Sequence, residues 1–215
     1  MNLNHIIQQI SIMVVPILMA VTFHEVAHGW VAYKLGDNTA KDAGRLTLNP
    51  IKHLDLLGTV VFLVTRMIGW AKPVPVNPFN FKDPKKGMAW VAVAGPAMNI
   101  LMAIGFALLL KLLLMLPISP RSTLLISILT PLALMFKVGI VINVGFAVFN
   151  IIPVPPLDGS RILEGLLPME AAMKYARLER YGMLILVLLI FTRVVDYVIF
   201  PIINSITSLL MGFVM

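Results

Sequence analysis

Runs of more than 20 mostly apolar residues recur along this chain, and a run of that length matches the hydrocarbon thickness of a bilayer when coiled as a helix. Ile10 to Tyr33, Ala89 to Leu116 and Leu132 to Ile152 are three such runs, and Met183 to Phe200 is a somewhat shorter fourth. Backbone polar groups must be satisfied internally in lipid, so helices are the expected spanning elements. Of the 215 residues 59% are hydrophobic and 13% charged, against about 25% charged in soluble domains, which excludes an ordinary soluble globule. The reading is an all-α polytopic membrane protein with about four full transmembrane helices. It forms a single domain over residues 1–215, with a catalytic core at about 6–160 and a C-terminal helical part at 161–215.

The formal charge of +7 would suggest nucleic acid in a soluble protein. Here the basic residues lie mainly between apolar runs, where they act as topology signals and contacts for anionic lipid, so no nucleic-acid partner is expected. The chain has no cysteine, so any metal must be held by His, Asp or Glu. The N-terminus lacks the positive region of a signal peptide, and the first apolar run is expected to remain as a span.

Two segments do not fit a simple span. Leu56 to Trp70 is apolar but only 15 residues long and contains Arg66; it is expected to be re-entrant or interfacial. Ala71 to Lys86 carries prolines at 73, 75, 78 and 84, which prevent a regular helix and favour a loop or an extended, membrane-associated edge strand. Arg161 to Arg180 has the apolar spacing of an amphipathic connection at the water interface.

The chemistry concentrates in the first span, where residues 24–28 read HEVAH. On a helix His24 and His28 project from one face a turn apart, so one divalent ion can bridge them. Zinc suits neutral imidazoles, and a catalytic zinc takes three protein ligands and an open position for water. The competing reading, interhelical hydrogen bonding of the two histidines with Glu25, leaves the cost of burying ionisable groups in hydrocarbon less well compensated. The best third ligand is Asp158, in the helix-breaking turn Pro155-Pro156-Leu157-Asp158-Gly159 directly after a span.

HEVAH in the first span, AGPAMN at 94–99 and NIIPVPPLDG at 150–159 together resemble the site-2 protease family of intramembrane zinc metalloproteases. The resemblance implies one zinc ion with a bound water, held by His24, His28 and Asp158, with Glu25 as catalytic base. It also implies an extended strand that holds unwound substrate, for which Val74 to Phe79 is the candidate. Asn150, Asn77 and Asn143 are the expected side-chain contacts to substrate, while Asn99, with Gly95 and Pro96, is expected to serve helix packing and a kink. The expected function is hydrolysis of a peptide bond in or near a transmembrane segment of a membrane protein, as in regulated intramembrane proteolysis. The alternative is a ZIP-like divalent-metal transporter, since such transporters also carry intramembrane HExxH-like sequences. No PDZ or CBS regulatory domain is recognised in the sequence, which points to control by a second membrane protein or by prior trimming of the substrate. The sequence carries no signal for oligomeric state.

Topology follows from parity. If Leu56 to Trp70 crossed, the ends of the first and third long runs would lie on opposite sides and His28 could not share an ion with Asp158. If it does not cross, thirteen Lys and Arg residues share one side against Arg121 on the other, the bias expected of a cytoplasmic face. The expectation is a multi-pass protein of the cell membrane with its N-terminus outside and its active site nearer the cytoplasm.

Overall fold

A computed structural model describes residues 3–65, 69–117, 123–193 and 195–214. The apolar runs become long helices: α1 (Leu3–Lys34), α4 (Pro84–Leu114) and α5 (Thr123–Ile151). Between α1 and α4 lie the short helices α2 (Thr39–Asp42) and α3 (Leu56–Thr65). After α5 come α6 (Asp158–Leu166), α7 (Met169–Ala176), α8 (Gly182–Phe191) and α9 (Phe200–Val214). Local chemistry sets some of these limits. Asp83 caps α4 by accepting from the Lys86 N–H at 3.0 Å, with Pro84 at the first helical position, where its missing N–H costs nothing. The chain leaves α1 through Gly36 at φ 107°, a left-handed conformation suited to glycine.

α4 is the central helix. Ala20 and His24 of α1 meet Asn99, and His28 meets Val91; rising numbers on α1 meet falling numbers on α4, so the two are antiparallel. Asn99 also meets Asn143, and Phe106 closes on Gly139, so α5 is antiparallel to α4 as well. Hence α1 and α5 run parallel, and their C-terminal ends lie at the same end of the bundle. The core of the other half is built from Ala103, Phe106, Ala107, Leu110, Ile140, Val144 and Val214. Outward residues such as Leu101, Leu112 and Val141 stay exposed, as lipid-facing positions should.

Among the described residues, four helical stretches are long and apolar enough to cross a membrane: Ile10–Lys34, Pro84–Leu114, Leu125–Ile151 and Val195–Val214. Three agree with the expected spans. The fourth is displaced, because the helix expected over Met183 to Phe200 breaks after Phe191. Arg193 adopts φ 57°, unfavourable for a residue with a Cβ, and a π-helical turn at Val195–Ile199 leads into α9. No ion pair joins Arg193 to Asp196 among the described residues. α9 then packs back on the bundle, with the Lys111 Nζ donating to the Phe213 carbonyl at 2.7 Å.

The short apolar run does not cross. α3 has 10 residues, about 15 Å of helix against about 30 Å of hydrocarbon. Leu54 pairs with Ala71 in a single antiparallel bridge, and a Cβ on Gly58 would lie 2.2 Å from the Trp70 carbonyl oxygen, so the chain returns to where it left. Leu56, Leu57 and Val64 are exposed apolar side chains on this loop; Arg66 lies outside the described residues. The strand expected over Val74 to Phe79 is the second difference. Residues 72–77 form no regular structure, and Pro78–Asn80 is a 3-10 turn capped by the Asn77 side chain. Pro73, Pro75 and Pro78 have no N–H to give a ladder.

Candidate metal centre

HExxH lies in the last third of α1, where His24 and His28 are both buried. The turn after α5 brings Asp158 to the first position of α6, and the parallel course of α1 and α5 delivers it to the histidines. His24 Nε2 and His28 Nε2 are 3.0 Å apart, and they lie 3.2 and 3.3 Å from Asp158 Oδ2. Among the described residues these three form the group of His, Asp or Glu side chains able to hold a metal ion.

The proton positions on both imidazoles follow from their neighbours. His28 Nδ1 lies 2.7 Å from the Val91 carbonyl oxygen, which can only accept, so Nδ1 carries the proton. The His24 proton is fixed through two amides. Asn143 donates from Nδ2 to the Gly139 carbonyl at 2.8 Å, which turns its oxygen to Asn99. Asn99 Nδ2 donates to that oxygen at 3.0 Å and to the Ala20 carbonyl at 3.2 Å, which turns its own oxygen to His24 Nδ1 at 2.6 Å. His24 Nδ1 is therefore a donor too. Both Nε2 atoms are left with lone pairs, pointing at each other and at a carboxylate oxygen.

No proton is available to join these three atoms in the neutral tautomers, and Asp158 Oδ2 is buried without a hydrogen-bond partner. A divalent cation supplies what is missing. Tetrahedral zinc at 2.0–2.2 Å from N and O ligands separates those ligands by about 3.3 Å, close to the observed spacings. The donor set of two imidazoles and one carboxylate is borderline-hard and free of thiolate, as catalytic zinc sites commonly are.

Two glycines permit the assembly. A Cβ on Gly95 would lie 2.4 Å from His28 Nε2 and 2.5 Å from His24 Cε1, so the rings rest against bare α4 backbone. A Cβ on Gly159 would lie 2.0 Å from the Ile151 carbonyl oxygen, so the Asp158 turn can fold back only over glycine. Glu25, one residue beyond His24, is half-buried, and its Oε2 accepts from the Val74 N–H at 2.9 Å.

The remaining candidates are dispersed. Asn150, on the last turn of α5, is half-buried and donates to the Phe146 carbonyl at 2.9 Å. Asn77 caps its own turn through Oδ1 and gives its backbone N–H to Asp37 at 2.8 Å. Asn143 is fully buried, with its amide committed to Gly139 and Asn99. His53 is fully buried and bonded to the Thr47 carbonyl, outside the ligand group. Asn99 was expected only to pack helices; it also fixes the His24 tautomer. An amide in the middle of a span was the signal for such a role.

The family model described as Peptidase family M50 matches residues 12–192. Among curated proteins the chain is 42% identical over 194 residues to "Putative zinc metalloprotease YwhC" of Bacillus subtilis (strain 168), covering 90% of this chain and 86% of that one. It is 30% identical over 183 residues to "Putative zinc metalloprotease Rip2" of Mycolicibacterium smegmatis, covering 81% of this chain and 64% of that longer one. No solved structure matches it. The family match takes in both the HExxH helix and the turn that brings Asp158 back to it, and the chain belongs to peptidase family M50, the site-2 protease family of metalloproteases.

Proposed function

We propose that this chain is an intramembrane zinc metalloendopeptidase that cleaves a peptide bond in or near a transmembrane segment of a membrane-protein substrate, as in regulated intramembrane proteolysis. The observation that carries the reading is the convergence of His24 Nε2, His28 Nε2 and Asp158 Oδ2 within 3.3 Å, all with lone pairs inward. These residues would hold one zinc ion with a bound water. When bound, zinc polarises a carbonyl and lowers the pKa of water to about 7. The names of YwhC and Rip2 support zinc as the metal.

The chain's own groups do the rest. Glu25 accepts a proton from the attacking water and delivers it to the leaving amine, as a carboxylate within reach of both can. Its anchored Oε2 keeps the group in one orientation, which favours a single attack geometry. A substrate helix hides its amides in internal hydrogen bonds, so it must unwind before its carbonyl can react, and the exposed groups then need partners. Asn150 and Asn77 are the half-buried amides assigned to that task. Catalysis is placed within residues 6–160, in one domain with the helices that follow. The basic bias towards the loops after α1 and α5 supports a cytoplasmic active-site face in the cell membrane and an external N-terminus; Arg121, the lone opposing cation in that count, lies outside the described residues.

Metal analysis paired with cleavage of a membrane peptide tests the reading. Glu25→Gln keeps its zinc and loses cleavage by a factor of at least about 100; Asp158→Ala loses both. Cleavage by Glu25→Gln at the wild-type rate would exclude the mechanism, and zinc uptake by loaded liposomes without proteolysis would move the chain to the transporters.

A further inference from the structure

We propose that Arg45 and Asp37 are positioning residues for the hydrolytic reaction, holding residues 72–77 from opposite ends in the register that presents the Val74 N–H to Glu25. The inference rests on Glu25 as the base.

Register matters here because the sequence Lys72-Pro73-Val74-Pro75 has one amide proton between Lys72 and Val76. The Lys72 N–H goes to the His53 carbonyl at 2.9 Å, and the Val74 N–H goes to Glu25. A slip of one residue in either direction would set a proline nitrogen against the carboxylate and leave it without that donor. Something must therefore fix the segment lengthwise.

Arg45 does so at one end. It is buried, at 6% exposure, and donates from Nη2 to the Lys72 carbonyl at 2.6 Å and from Nη1 to the Pro73 carbonyl at 3.2 Å. The Pro73 carbonyl and the Val74 N–H belong to one planar peptide group. A guanidinium thus grips one edge of that plane while Glu25 receives the other, and the two bonds polarise the peptide in the same sense. No carboxylate pairs with Arg45 among the described residues, so this buried charge is compensated chiefly by the two carbonyls, an expensive arrangement for a loop that needed only to be closed.

Asp37 holds the other end. It is fully buried, accepts from the Asn77 N–H at 2.8 Å and the Asn80 Nδ2 at 2.6 Å, and also accepts from Thr39. Its own N–H is bonded to the Ala32 carbonyl at 2.9 Å. The far end of the segment is in this way hung from α1, the helix that carries Glu25, so strap and base move as one body.

Arg45→Lys separates positioning from simple structural support, because one ammonium keeps the charge but does not reproduce the fork. In the full-length protein reconstituted in lipid, zinc per chain stays at the wild-type value and KM stays within about twofold, while kcat falls by about ten- to hundredfold. Deuterium uptake in a proteolytic fragment spanning Lys72 to Pro75, which reports only the Val74 amide because Lys72 becomes its terminal amine, rises in parallel. Asp37→Ala acts in the same direction. Wild-type kcat in Arg45→Lys, or a fall in kcat matched by an equal loss of zinc, would overturn the proposal. Should that variant fail to fold, replacing Val74 by its α-hydroxy analogue removes the N–H and leaves Arg45 and Asp37 intact. That ester enzyme is expected to lose kcat equally, and full activity in it would sink the idea. Activity surviving in Glu25→Gln would remove the base assignment itself, an outcome distinct from normal kcat in Arg45→Lys.

Discussion

In the proposed centre His24 and His28 would bind the ion through Nε2, because their Nδ1 atoms are occupied. A free imidazole offers either nitrogen to a metal; here the Val91 carbonyl and the Asn99 amide fix the tautomers before any ion arrives. Asn99→Ala is expected to weaken zinc binding by about 10–100-fold, read by competition with a chromogenic chelator. Asn143→Ala, one bond further out, moves the same constant less. Gly95→Ala should reduce zinc per chain, since the added methyl meets both rings at 2.4–2.5 Å and α4 backbone has no freedom to retreat; wild-type metal content there would show that the rings can move aside. The three side chains that converge were legible in HEVAH and PPLDG because helical spacing and a proline-bounded turn are local signals, while Glu25 as base came from the family resemblance. The role of Asn99 was not, because its partners come from two other helices.

At the scale of elements, the informative one is the short apolar run. Its length and Arg66 marked it as re-entrant or interfacial, and the Leu54–Ala71 bridge supplies the reason it does not cross: the chain closes back on itself. With no native cysteine, single cysteines at Asp42 and Lys82 are expected to react with an impermeant reagent from the same side of the membrane; labelling from opposite sides would contradict the return loop. The strap beyond it has a pH signature. Burial opposes ionisation of Asp37, but the bonds it accepts from Thr39, Asn77 and Asn80 outweigh burial and hold its carboxyl below the ordinary carboxylate range. A group depressed on folding contributes stability that is complete above its unfolded pKa and is lost as pH falls through the folded value. The difference in melting temperature between wild type and Asp37→Asn should therefore be largest near neutrality and shrink on acidification. The final span shows the limit of reading elements from hydropathy. Met183 to Phe200 is apolar apart from Thr192, Arg193, Asp196 and Tyr197, yet the backbone turns at Arg193, and the helix long enough to cross begins at Val195.

Taken whole, the molecule is a bundle in which α1, α4 and α5 pack against one another, α1 and α5 parallel and α4 antiparallel to both, and the candidate metal centre sits where all three meet the turn before α6. Such a centre ties distant parts of the chain together, so an ion that binds only the folded form stabilises it. At a free zinc concentration about 100 times Kd the gain is about 2.7 kcal/mol. Chelation should lower the thermal midpoint and abolish cleavage, zinc should restore both, and Asp158→Ala should be indifferent to either treatment. A chelator-resistant protease would contradict the centre outright.

The sequence by itself determined the solvent this protein lives in, the helical nature of its spans and the residue types that would meet the ion. Each depends on hydrophobicity or on spacing within a few turns, which the chain carries without reference to its fold. Only the tertiary structure decided which nitrogen of each histidine is offered, that Gly95 and Gly159 must be bare, and that the proline-rich segment lies against Glu25 with the Val74 N–H turned towards it. Those are contacts between helices and loops far apart in sequence. Hydrogen bonds and excluded volume act over a few ångströms in space, and periodicity along a chain does not encode which distant surfaces will be brought that close.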